Sequence, residues 1–223
     1  MSIQVKLIES NPYFNGLKHA ELERIAGFIF ERTVKSDDVI LFEDEYSDAL
    51  YFVVSGVVKA FKTSSDGKEQ ILYLVRPGEA INDIPALDGG SNPISARAMG
   101  TATLYGIRSD ALDTILRDYP QIALNATKAL SQRARLMISL VEDLSFRHVI
   151  NRVAKILLEH STEESGIRPR LTQQEMAAMA GTAREMIGRS LKSLEDEGVV
   201  RLDRQRVVIT DKEALKELAG VAT

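Results

Sequence analysis

Residues Leu171–Glu195, LTQQEMAAMAGTAREMIGRSLKSLE, read as two short helices joined by a tight turn. Thr172 is placed to cap the first, and Glu175, three residues on, completes a capping box. Met176, Ala177 and Met179 give that helix a small apolar face, and Gly181 punctuates it. Thr182 and Glu185 repeat the box spacing and open a second helix. Ile187, Leu191 and Leu194 recur on one side of it at offsets of four and three. Arg184, Glu185, Arg189 and Lys192 fall on the other. A helix with a packed back and a fork of Arg and Glu in front suits the major groove of DNA. The same pattern also fits an ordinary helical hairpin with a charged solvent face.

On the C-terminal side, Val199–Leu202 and Arg206–Ile209 flank Asp203-Arg204-Gln205 as a hairpin, a wing whose Arg204 and Arg206 suit phosphates. Residues 211–219 form a closing helix with Leu215 and Leu218 inward. On the N-terminal side, Asn151–His160 is helical, and a polar loop follows to Arg170. Before it lies a long helix, residues 121–145, carrying Leu130, Ala134, Met137, Val141 and Leu144 at spacings of 4, 3, 4 and 3. That is a heptad seam. Leu136 and Leu140 make a neighbouring stripe, expected to face the chain's own N-terminal domain. Two stripes on one helix imply packing on that domain plus a second copy of the chain, with a hinge at Leu144–Arg147. Arg133 and Arg135 flank the seam and read as solvated or salt-bridged.

The N-terminal half opens with a helix whose stripe is Leu17, Leu22, Ile25, Ala26 and Ile29. Residues 33–108 then hold short apolar runs, Val39–Phe42, Tyr51–Val54, Val57–Thr63, Gln70–Val75 and Thr103–Ile107. Turn signals separate them, among them Ser55-Gly56, Asp66-Gly67 and Pro77-Gly78. Many short strands with regular turns indicate a small barrel or sandwich.

The run TAREMIGRSLKSLEDEGVVRL resembles the recognition helix and wing of the cyclic-AMP-receptor/fumarate-nitrate-regulator (CRP/FNR) family of bacterial transcription factors. By position, Arg184, Glu185 and Arg189 match that family's three base readers in its receptor branch. The resemblance implies an α+β chain with an N-terminal β-roll, a long dimerisation helix and a C-terminal winged helix-turn-helix. The expected boundaries are 1–120, 121–145 and 146–223. Thr172, Gln173, Thr182, Arg184, Glu185, Arg189, Lys192 and Arg204 are then the candidate DNA contacts. The dimer interface would be Leu130, Ala134, Met137, Val141 and Leu144. The partner is double-stranded DNA carrying an inverted TGTGA-like repeat. The family favours activation, which would add RNA polymerase to the partners.

Residues 78–99, GEAINDIPALDGGSNPISARAM, stand where the family has its phosphate cassette. The cyclic-AMP form has a Gly-Glu pair, whose Glu holds a ribose hydroxyl, and an Arg-Ser pair at the cyclic phosphate. Here Asn82-Asp83 replaces the first pair and Asn92-Pro93 the second. Asp83 is still able to accept a hydroxyl, whereas no arginine meets the phosphate, and Arg97 lies further on. An unpaired phosphate in a dry pocket is costly. Asn82, Asp83, Asn92, Pro93 and Arg97 are therefore the candidate effector pocket, with cyclic AMP disfavoured and the effector unidentified.

Composition sets further bounds. The 223 residues are 44% hydrophobic with a formal charge of −4, so the chain is no general polycation. It has no cysteine, which excludes disulfides, zinc thiolates and cysteine-ligated iron–sulfur clusters. His19, His148 and His160 are its only histidines and none falls in the β-rich region, where haem-sensing members of the resembled family place a ligand, so the resemblance implies no haem by that route. No metal site, Walker loop or nucleophile–base pair is found, so no enzyme is expected. Lys6 and Glu9 interrupt any leader-like run, and no stretch reaches membrane-spanning length, so a cytoplasmic location is expected. Two competitors to a ligand-gated regulator remain, a regulator controlled by abundance and a scaffolding module of the same fold.

Overall fold

The computed structural model describes residues 5, 8–161, 171–203 and 206–220. Contacts divide the chain into two units, residues 1–62 with 73–136, and residues 63–72 with 137–223.

The first unit is built on two four-stranded sheets. One has the order β1 (Ile29–Val34), β8 (Ala102–Arg108), β3 (Ala49–Ser55), β6 (Ala80–Ile81). The other runs β2 (Val39–Leu41), β7 (Ser95–Ala98), β4 (Val58–Thr63), β5 (Glu69–Val75). β8 pairs antiparallel with both β1 and β3, matching Ile107 to Ile29 and to Leu50. Strand β3 reads ALYFVVS and is buried on both faces. Alternation explains why. Ala49, Tyr51 and Val53 enter the core between the sheets, with Val58, Ala60, Ala96 and Leu104. Leu50 and Phe52 point the other way, into a second core beneath helices α1 (His19–Ala26) and α3 (Ser109–Asp118). Leu22, Ile25, Leu112 and Ile115 fill that core. Gly56 turns the chain after β3 at φ 81°, and a Cβ there would lie 2.5 Å from Thr101 O. The turn therefore requires glycine twice over, for conformation and for space.

Helix α2 (Asp83–Asp88) carries the cassette, and α4 (Pro120–Phe146) is the long helix. Ile122 and Ala126 root α4 in the second core. Asn125 donates to Tyr13 O and Asn15 O at 3.0 and 2.8 Å. Leu136, expected to pack on the chain's own domain, is instead 58% exposed.

The second unit holds α5 (Val149–Ser161), α6 (Gln173–Ala180), α7 (Arg184–Asp196), a hairpin of β9 (Val200–Asp203) and β10 (Arg206–Ile209), and α8 (Lys212–Ala219). Val153, Leu157, Met176, Ile187, Leu191, Leu194 and Leu215 share one core. Between α4 and α5 the helix breaks at residues 147–148. A buried carboxylate organises the break. Asp143 is 8% exposed and meets Arg147 Nε at 2.8 Å and Lys155 Nζ at 2.5 Å. Arg152 Nε donates to Ala180 O at 2.7 Å, at the carbonyl end of α6, where a cation is favoured. Arg147 Nη1 donates to Ala219 O at the end of α8.

Candidate nucleic-acid interface and effector pocket

Helix α6 begins with the expected box. Thr172 Oγ1 accepts from Glu175 N–H at 3.1 Å, and Glu175 Oε2 accepts from Thr172 N–H at 2.6 Å. Gly181, at φ 60°, ends the helix and lets Thr182 N–H reach Ala177 O at 3.1 Å. The second box does not form. The cap of α7 is Ala183, which has no capping side chain. The helix starts one residue later than the spacing of Thr182 and Glu185 requires. Glu185 therefore sits in the first turn as a dipole partner, and half-buried Thr182 stays in the turn.

Ile187, Ser190, Leu191 and Leu194 bury the back of α7. Arg184, Glu185 and Arg189 are exposed on its outer side. No described residue forms an ion pair with Arg184 or Glu185, and Arg189 makes only a long contact to Met186 Sδ at 3.9 Å. Arg184 and Glu185 thus stand unengaged, and Arg189 meets only a sulfur, on the first half of a helix whose back is fixed. Lys192 differs. It meets Asp196 at 2.9 Å and Glu195 at 3.2 Å, and these hydrogen bonds raise its pKa. Its charge is shared locally. Gln173 and Thr172 are exposed at the start of α6. Arg204 lies outside the described residues.

On α4 the seam residues Ala134, Val141 and Leu144 are exposed, and Leu130 and Met137 are half-buried. Ile138 and Val141 expose 68% and 63% of their surface. Isolated exposed apolar residues are common, whereas these follow one another along a single helix.

The pocket candidates divide. Asn82, Asp83, Asn92 and Pro93 line one cleft with Leu41, Tyr73, Ile84, Pro85 and Ile94. Arg97 is not among them. Its neighbours Ala96 and Ala98 face the inter-sheet core, and alternation along β7 turns Arg97 to the opposite face, 4.9 Å over the Phe61 ring. The cleft encloses about 10 Å³, room for about one water-sized group. Asn82 opens α2 with a left-handed φ of 71°.

Asp83 is 1% exposed and already partnered. Tyr13 Oη donates to its Oδ2 at 2.8 Å, and Arg133 Nη1 donates to Oδ1 at 2.5 Å. Arg133 also donates to Ala80 O at 2.9 Å and stacks 4.7 Å from the Tyr73 ring. Burial first, and then the Asp83 charge, push the Tyr13 hydroxyl well above its ordinary range, so it stays a donor. Arg133, read from the sequence as solvated or salt-bridged beside the seam, is salt-bridged, with the pocket's Asp83 as its partner. The available signal was physical: a carboxylate in a dry pocket needs a cation, and the cassette's own arginine, Arg97, does not line the cleft.

Among the described residues, no group of three or more His, Cys, Asp or Glu side chains is placed to hold a metal. No described helix is long and apolar enough to cross a membrane.

Comparison with known proteins agrees with both halves. Residues 31–119 match the cyclic nucleotide-binding domain, and residues 151–218 match the Crp-like helix-turn-helix domain. The chain is 32% identical over 212 residues to the cyclic AMP receptor protein of Thermus thermophilus, covering 95% of this chain and 98% of that one. It is 32% identical over 184 residues to a CRP-like cAMP-activated global transcriptional regulator of Mycobacterium tuberculosis, covering 79% and 82%. A solved transcriptional regulator from Thermus thermophilus superposes with a TM-score of 0.73 at 27% identity, covering 86% and 98%.

Proposed function

The chain belongs to the CRP/FNR family of DNA-binding transcription regulators, and from that premise we propose that it works as a homodimer gated by a small effector. The family consists of regulators, not enzymes. The observation that carries the reading is the first half of α7, where Arg184, Glu185 and Arg189 stand exposed over a back locked by Ile187, Leu191 and Leu194. Each arginine suits the O6 and N7 of a guanine, and Glu185 suits the N4 amine of a cytosine. The seam of Leu130, Ala134, Met137, Val141 and Leu144 pairs two copies. Two recognition helices related by a two-fold axis read an inverted repeat about one helical turn apart. Each half-site is TGTGA-like.

Cyclic AMP, although named for two relatives, is a poor effector here. Among the described residues no arginine lines the cleft, and the carboxylate that would take the ribose is held by Tyr13 and Arg133. Contact with RNA polymerase follows if the chain activates. Selection from a random duplex library tests the DNA reading. The expected product is a palindrome with TGTGA-like G·C pairs; a pool without symmetry sinks the reading.

A further inference from the structure

The cleft wall carries unbalanced hydrogen-bonding atoms. Asn82 and Asn92 are 7% and 2% exposed. The amide oxygen of each is buried without a hydrogen-bond partner among the described residues. Their amide nitrogens are both engaged, Asn82 Nδ2 with Ala49 O and Asn92 Nδ2 with Phe42 O, each at 2.8 Å. Those bonds fix which end of each amide is oxygen. Asn92 is pinned further by its backbone. Its N–H donates to Glu45 O at 2.8 Å, and its carbonyl accepts from Asp44 N–H at 2.9 Å. Neither side chain can turn its oxygen elsewhere without breaking a bond already made. An acceptor left unpaired in a buried site carries the full penalty of its lost hydration. Both asparagines line the same cleft.

We propose that this cleft takes a small ligand through hydrogen-bond donors, an amine or hydroxyl group meeting Asn82 Oδ1 and Asn92 Oδ1, and not through a phosphate. The inference rests on reading this pocket as the effector site. A phosphate would set acceptor against acceptor. A donor group supplies what the two oxygens lack. The enclosed space suits one such group, with the rest of the ligand outside. The arrangement reverses the polarity of a phosphate cradle, which is a ring of donors.

The test uses full-length ¹⁵N-labelled protein and follows the asparagine side-chain amide signals by NMR. Methylammonium chloride, ethylene glycol and sodium phosphate are titrated separately. The first or the second is expected to shift the Asn82 and Asn92 signals saturably, and which one does so separates a charged donor from a neutral one. Phosphate is expected to leave them in place. Asn92→Leu removes the acceptor and should weaken binding about tenfold, one hydrogen bond's worth. Asn92→Asp loses the same contact to Phe42 but restores an acceptor, so it should bind better than Asn92→Leu. That contrast separates a lost ligand contact from a loosened loop. The inference is overturned if neither donor probe moves both signals, if phosphate does, or if the Leu and Asp variants bind alike. Selection of DNA with the same preparation keeps the two readings apart: a recovered palindrome without donor binding overturns this inference alone.

Discussion

Replacing Arg133 by leucine tests the pocket's internal ion pair. The substitution removes the 2.5 Å contact to Asp83, the bond to Ala80 O and the stacking on Tyr73. Leucine fills part of the space but leaves a carboxylate whose side chain is 2% exposed with only the Tyr13 hydroxyl. Breaking a buried pair from one side costs about 3–5 kcal/mol, because the surviving charge is stranded. For a chain of this size that lowers Tm by on the order of 10 °C. The double variant Arg133→Leu/Asp83→Asn removes the stranded charge. Its loss should fall short of the sum of the two single losses by about 1–3 kcal/mol, the coupling expected of groups in contact. Urea denaturation of the three variants and the wild type supplies all four values. A single-variant loss below about 1 kcal/mol, the figure for an exposed pair, would refute the reasoning. So would strict additivity.

Four more outcomes are expected. Met137→Glu with Val141→Glu places carboxylates in the seam and should give a monomer by sedimentation that has lost tight operator binding; a dimer that survives removes the seam. Arg184→Ala or Arg189→Ala should cost about 1–3 kcal/mol per half-site and relax one G·C position. Arg206→Ala, on the exposed wing, should weaken all sequences alike and reduce the salt slope by about one; equal loss of sequence preference in all three variants argues against separate roles. Because the folded Tyr13 pKa is raised, above pH ~10 the unfolded chain releases that proton while the folded chain keeps it, so stability falls as pH rises, by up to about 1.4 kcal/mol per unit. Tyr13→Phe should flatten the alkaline limb of a urea-midpoint series; an unchanged slope assigns the loss elsewhere.

What the sequence disclosed follows the range of the forces involved. The Thr172 box lies within four residues and formed as read. The second box failed by one residue, because Gly181 and the bond from Thr182 to Ala177 set where α7 could begin. Five strands of the first unit were legible from their turns, but β1, β6 and β7 were not, and Ile29, read as the end of the first helix's stripe, opens β1. The alternation of β3 was not legible either, since its two faces meet different cores and both are apolar. The cassette was legible as a departure from a phosphate site. Its pairing with Arg133 was not, because the partners stand fifty residues apart and meet only when α4 docks on the roll. Arg97 failed for the converse reason: proximity along the chain says nothing of which side of a strand a residue takes.

The left-handed turn at Asn82 limits how this pocket can evolve. Few side chains tolerate φ near 71°, and asparagine, aspartate and glycine are the comfortable ones. Glycine would discard the oxygen. Aspartate would give up the donor to Ala49 and bury a second charge beside Asp83. Mutational drift at this position therefore leads to a damaged turn far more often than to a new specificity. Pro93, exposed at the rim, carries no such restriction. A library meant to vary this pocket should hold residue 82 constant and spend its diversity on the exposed rim at Pro93.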